Sequence, residues 1–145
     1  MALTDEEIQH VCEEASMLNL KVASHTSGGR GITVAVKNGI HSVEHGHWLD
    51  NETIDLMAKN NTFYVPTLLV NERNYDFEID ENLRSEKNWQ WLDLSREAKW
   101  LSLEKALKAN INIALGTDAG FMLPHGSMNY RELEYLIKGG FSNMQ

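Results

Sequence analysis

The sequence predicts an α/β fold in which parallel strands alternate with helices and curve toward a barrel. Three observations predict it. Short β-branched or apolar runs at residues 21–26, 40–45, 62–70 and 111–118 are separated by helical stretches, the order of βα units rather than of hairpins. The first two runs share one layout, in which a strand ends on a histidine, a glycine-containing turn follows, and a helix comes next. The last run has a clear parity: Ile111, Ile113, Leu115 and Thr117 share one face, and Asn112, Ala114, Gly116 and Asp118 share the other. Bulky residues suit packing against outer helices, and small or polar ones suit a crowded barrel axis with an acid at its mouth.

Each element has a local reason. Thr4 followed by Glu7 is a capping box, in which each side chain satisfies a free backbone N–H at the other's end. Ile8, Val11, Ala15 and Leu18 then recur at helical spacing, and Asn19 ends the helix. After the first strand, a short helix over residues 31–38 is closed by Gly39, which tolerates the left-handed turn. Asp50 caps a helix over residues 51–59. In the third strand, Pro66 lacks an N–H and marks where regular pairing stops. A polar stretch over residues 71–82, with Glu78, Asp80 and Glu81 read as solvated loop, leads into helical sequence. That sequence carries Trp89, Trp91, Leu92, Trp100, Leu103 and Leu107, is long enough for two helices, and its tryptophans read as packing. A last helix is expected over residues 130–137.

Composition narrows the function classes. The chain has 145 residues, 42% of them hydrophobic, enough for a core in one unit spanning residues 1–145. Lys and Arg number 13 against 21 Asp and Glu, and the resulting charge of −8 repels phosphate backbones and anionic lipid, so neither nucleic acid nor membrane is an expected partner. The start, Met1-Ala2-Leu3-Thr4-Asp5, lacks the basic and apolar regions of a secretory signal, so the chain is expected to be cytoplasmic by default. The single cysteine, Cys12, excludes an internal disulfide framework and a cysteine-rich zinc site. No Gly-x-Ser-x-Gly elbow is present, and Gly28-Gly29-Arg30-Gly31 lacks the spacing of a dinucleotide or P-loop cradle.

The chemistry sits at strand ends. His25, His45 and Asp118 each close a strand and are each followed by glycine or small polar residues. In parallel α/β folds the carboxyl ends of the strands build the site. Two imidazoles and a carboxylate there suit a divalent ion such as zinc with coordination left open for water, whose pKa falls to about 7 on such an ion. A carboxylate beside that water is placed to take its proton and pass it to a leaving nitrogen. His125, in the loop after Asp118, is expected near the mouth as a substrate-binding residue. His41 enters its strand at the opposite end and reads as structural or solvated, His47 as exposed in preference to backing the ligands or facing substrate, and His10 as without a role.

Taken together, these residues resemble the amidohydrolase superfamily, and within it the imidazolonepropionase-like and Xaa-Pro dipeptidase-like branch. The resemblance is carried by Val22-Ala23-Ser24-His25, Gly39-Ile40-His41-Ser42-Val43-Glu44-His45-Gly46, Val65-Pro66-Thr67-Leu68 and Ala114-Leu115-Gly116-Thr117-Asp118-Ala119-Gly120, with Pro124-His125-Gly126 behind it. It implies a partial TIM-like (β/α)8 barrel, strands five to eight with flanking helices. It also implies metal ligation by His25 and His45, and a dual role for Asp118 as ligand and proton shuttle. The first-strand His-x-His pair and the fourth-strand ligand of such enzymes have no counterpart here. The chain is therefore expected to be a fragment of a hydrolase acting on an amide or dipeptide C–N bond, inactive in isolation. Its open sheet edges are expected to invite pairing with a second copy. The competing reading is a non-catalytic, oligomerising α/β module.

Overall fold

The computed structural model describes residues 3–72, 86–120, 123–126 and 129–142. The polar loop containing Glu78, Asp80 and Glu81 lies outside the described residues. Among them, α1 (Asp5–Met17), β1 (Ala23–Gly28), α2 (Arg30–Lys37), β2 (Ser42–Trp48), α3 (Asn51–Asn60) and β3 (Phe63–Val65) alternate in chain order, followed by α4 (Glu86–Lys108) and α5 (Asn129–Lys138). The strands form one parallel sheet in the order β1-β2-β3. Both crossovers pass through helices, as parallel pairing demands.

The capping box forms as expected: Glu7 N donates to Thr4 Oγ1 at 3.2 Å and Thr4 N to Glu7 Oε2 at 2.7 Å. Gly39 closes α2 in the left-handed region, and Asp50 caps α3 by accepting Thr53 N at 2.8 Å. Helix α2 buries Ile32, Thr33, Val34, Ala35 and Val36, being packed against both the sheet and α3. The main core joins Ile32, Ala35 and Val36 to Val43, Met57, Tyr64, Leu68, Leu103 and Ile111. A smaller cluster of Leu69, Val70, Leu92 and Leu123 lies under the cavity described below. None of the described helices is long and apolar enough to cross a membrane.

The structure sharpens two expectations and corrects a third. The third strand is shorter than residues 62–70: it stops at Val65, before Pro66, and a 3-10 turn follows at Leu69–Asn71. The helical sequence after the polar stretch is one helix of 23 residues, because Leu92, Ser95, Lys99, Ser102, Leu103 and Ala106 keep one continuous buried stripe. Residues 111–118 run beside β3 but make only an isolated parallel bridge, Tyr64 with Ile113, held by Tyr64 N to Asn112 O at 2.8 Å and Ala114 N to Tyr64 O at 3.0 Å. With β3 only three residues long, a longer ladder has no partner to continue on. The expected parity survives in part: Ile111 is buried and Ile113 packs against the core, whereas Leu115 is 46% exposed.

Candidate active site

The two strand-end histidines meet. His25 Nδ1 and His45 Nε2 lie 2.9 Å apart, with the rings nearly edge-on at 74°. Parallel pairing of β1 with β2 places His25 opposite Glu44 and Thr26 opposite His45, so the two imidazoles arise from adjacent strands at one end of the sheet. His45 and Gly46 both adopt left-handed backbone, with φ of 69° and 48°. Tyr64, fully buried beneath them, donates its hydroxyl to His45 O and Gly46 O, each at 3.1 Å. Side-chain space there is closed, since a Cβ on Gly46 would lie 2.8 Å from Tyr64 Cε2.

His47, expected to be exposed, is 3% exposed. His45 and His47 stand two residues apart on β2, so their side chains share one face of the strand, and both are buried. Their rings stack at 5.9 Å, and Trp91 meets His47 edge-on at 5.3 Å. His47 Nδ1 has no hydrogen-bond partner among the described residues. Trp91, expected to serve packing, is 46% exposed and forms part of the cavity wall.

His25, His45, His47 and Asp118 line one cavity of about 290 Å³, walled on its apolar side by Val70, Trp91 and Leu92. A larger cavity of about 560 Å³ lies at the other side of residues 111–115 and is lined by no titratable side chain. Of these two, the smaller one brings titratable side chains together. Asp118 sits at its rim, exposed and in left-handed backbone with φ of 56°. His125 is not among the lining residues: its ring covers Gly120, where a Cβ would come within 2.7 Å of Nε2. His41 Nδ1 accepts Val22 N at 3.1 Å, at the far end of the sheet.

Behind the histidines lies a buried polar layer. His45 Nδ1 is 2.8 Å from Thr67 Oγ1. Lys99, 1% exposed, donates to Thr67 O at 3.0 Å, to Thr67 Oγ1 at 3.3 Å and to Asn71 Oδ1. Glu132, fully buried, accepts Leu68 N at 2.7 Å and Leu69 N at 2.8 Å. Burial, followed by the Lys99 cation, lowers His45 to about 4, with Asp118 opposing. The same two causes lower His47 to about 3. Both imidazoles are thus neutral near pH 7. Burial lowers Lys99 itself to about 7, against the pull of Glu132, Asp118 and Glu72. Glu132 is raised by burial, its two backbone hydrogen bonds acting in the other direction.

The donor chemistry suits a divalent cation. Two facing imidazole nitrogens, one of them on a neutral ring backed by a hydroxyl, are borderline-soft ligands of the kind zinc takes, and a carboxylate shares their cavity. Asp118 is not closed onto the pair: among the described residues no group of three His, Cys, Asp or Glu side chains is arranged to hold a metal ion.

Sequence reasoning missed Thr67, Lys99 and Glu132. Lys99 had a signal, a lysine in the middle of the apolar stripe of α4 between Leu92 and Leu103. Thr67 follows the strand-ending proline, where no periodicity is left to read.

Comparison with known proteins finds similar chains. The amidohydrolase family model matches residues 1–145. Ochratoxinase of Aspergillus niger is 33% identical over 135 residues, which cover 93% of this chain and 27% of that enzyme. The crystal structure of a Xaa-Pro dipeptidase with methionine bound in its active site superposes with a TM-score of 0.84 at 33% identity, over 98% of this chain and 34% of that one. The crystal structure of A. niger ochratoxinase gives a TM-score of 0.79 at 30% identity, over 96% and 30%. The chain thus spans about a third, or less, of the length of these relatives.

Proposed function

Because the chain belongs to the amidohydrolase family, whose fold here is a segment of a TIM barrel with parallel strands, we propose that it forms part of a metal-dependent hydrolase cleaving an amide or peptide-type C–N bond. The observation that carries this reading is the His25–His45 pair, two nitrogens 2.9 Å apart on a cavity that Asp118 also lines. His25 and His45 would hold a divalent cation, zinc by donor type, with Asp118 as the third ligand. When bound, such an ion lowers the pKa of water to about 7 and polarises a carbonyl oxygen.

The chain's own groups supply the rest. Asp118, exposed at the rim, takes a proton from water and returns it to the leaving nitrogen. Val70, Trp91 and Leu92 give an apolar wall for a substrate side group and exclude water from that side. His47, neutral and buried beside His45, offers a hydrogen-bonding nitrogen to a substrate carbonyl or amide. His125, which packs against Gly120 rather than lining the cavity, remains a proposed substrate-binding residue. The substrate class we propose is a small amide or dipeptide, in keeping with a cavity of about 290 Å³ and with the Xaa-Pro dipeptidase and ochratoxinase relatives.

Hydrolysis by this chain alone is not expected, since the donor set it offers is not closed. A second copy is the proposed macromolecular partner: Phe63, Leu115, Leu133 and Ile137, each between 44% and 49% exposed, flank the open edge beside residues 111–115. The test pairs zinc analysis of the purified chain with hydrolysis of N-acyl amino acids and dipeptides by the full-length protein. Zinc retained by the chain and lost in His45→Ala, with turnover abolished in Asp118→Asn, supports the proposal. Full turnover in Asp118→Asn overturns it.

A further inference from the structure

Lys99 is a cation placed where a cation is hard to explain. It lies on α4, 1% exposed, inside the stripe that otherwise packs Leu92 and Leu103 into the core. Burying an ammonium costs several kcal/mol unless its donors are met. All three are met, and two of them by a single residue, Thr67, through its carbonyl and its hydroxyl; the third reaches Asn71 Oδ1. Thr67 is itself in left-handed backbone, φ 48°, a conformation a β-branched residue resists. The strained turn is clamped from a second side by Glu132, which accepts both Leu68 N and Leu69 N. Asn71 is tied in turn to Ser95 on α4, with Nδ2 donating to Oγ at 2.6 Å. The clamp fixes Asn71 in the cavity lining and sets Thr67 Oγ1 2.8 Å from His45 Nδ1.

We propose that Lys99 is a positioning residue for His45: by fixing Thr67 Oγ1 it holds the proton of the imidazole on Nδ1 and keeps the lone pair of Nε2 facing His25. The proposal rests on the reading of His45 as a ligand, because only then does the tautomer matter to function. A histidine whose other nitrogen donates to a fixed acceptor is oriented and more basic at the ligating nitrogen, and loss of that acceptor typically weakens metal binding 10–100-fold. Lys99 is not among the residues lining the cavity, and its route to His45 runs through Thr67; its other partner, Asn71, lines the cavity near His47.

The experiment reads the ring directly. Nitrogen-15 spectra of the His45 imidazole, in the chain without added metal, are compared between wild type, Lys99→Met, Thr67→Val and Thr67→Ser. Wild type and Thr67→Ser are expected to show one tautomer, protonated on Nδ1. Lys99→Met and Thr67→Val are expected to show averaged shifts from two tautomers. Leu103→Ala, a core truncation on the same helix, is the folding control and is expected to keep the wild-type ring. Should Lys99→Met fail to fold, Lys99→Gln, which keeps an amide donor on a shorter stem, gives the same readout. Zinc is then titrated into Thr67→Val, chosen because it leaves the charge beside the site unchanged, with a 10–100-fold weaker affinity expected. A wild-type ring signature in folded Lys99→Met, or an equal change in Leu103→Ala, overturns the positioning role. If wild type binds no zinc, the ligand reading fails by itself, while the tautomer comparison still decides what Lys99 does.

Discussion

Removing one oxygen from Tyr64 tests how the site is supported. Its hydroxyl carries one proton, shared between His45 O and Gly46 O at 3.1 Å each, and the side chain is fully buried. Tyr64→Phe keeps the ring, so no cavity opens, and the cost is that of leaving two buried carbonyls without a donor. Such a loss amounts to about 1–3 kcal/mol. Those carbonyls belong to residues with φ of 69° and 48°, so the bond also holds a backbone that would otherwise relax. At about 2.1 cal/mol/K of unfolding entropy per residue, a chain of 145 residues is expected to lose roughly 3–10 °C in Tm. Thermal melting followed by circular dichroism measures it, and the ring resonances of His25 and His45 should shift in the same sample. A Tm within a degree of wild type, with unchanged histidine resonances, would refute the claim that Tyr64 supports the pair.

Other substitutions probe neighbouring parts of the account. Gly46→Ala meets Tyr64 Cε2 at 2.8 Å and Val43 Cγ1 at 3.1 Å in left-handed backbone, and should destabilise by about 2–5 kcal/mol in a urea titration; a cost below 1 kcal/mol contradicts the packing described. Asp118→Asn should abolish turnover of the full-length protein while leaving the melting curve of the chain in place, because the side chain is exposed and its φ of 56° suits asparagine. His47→Phe should raise KM more than it lowers kcat, since it removes a polar contact while keeping the stacked ring. For Lys99, burial lowers the folded-state pKa to about 7 from 10.5. Between those values the unfolded chain binds the extra proton, so stability gained from this group rises as pH climbs through that window. Urea midpoints of wild type minus Lys99→Met should therefore increase from pH 7 to pH 10, and a decreasing difference would contradict the buried cation.

The sequence made the βα order legible because each helix of the first half carries a start or a stop signal: Thr4 with Glu7 and Asp50 as starts, and Gly39 as a stop. Pro66 marked the end of β3 for the reason the structure shows, a missing N–H beyond Val65. Residues 111–118 read as a strand from alternation alone, but pairing depends on a neighbour, and β3 is too short to provide one. At the site, His25, His45 and Asp118 were legible because each ends a strand run. His47 was not, although it shares a strand face with His45, because the ring that packs against it, Trp91, comes from α4, far away in the sequence. Thr67 and Lys99 were hidden for a related reason: their contact joins residues 32 positions apart across the fold.

The most direct test of the central claim is anomalous diffraction at the zinc edge from crystals of the chain grown with zinc. The account predicts a peak bonded to His25 Nδ1 and His45 Nε2, with the direct contact between those nitrogens replaced by two metal bonds. Zinc bound elsewhere while the two imidazoles stay hydrogen-bonded to each other would contradict it.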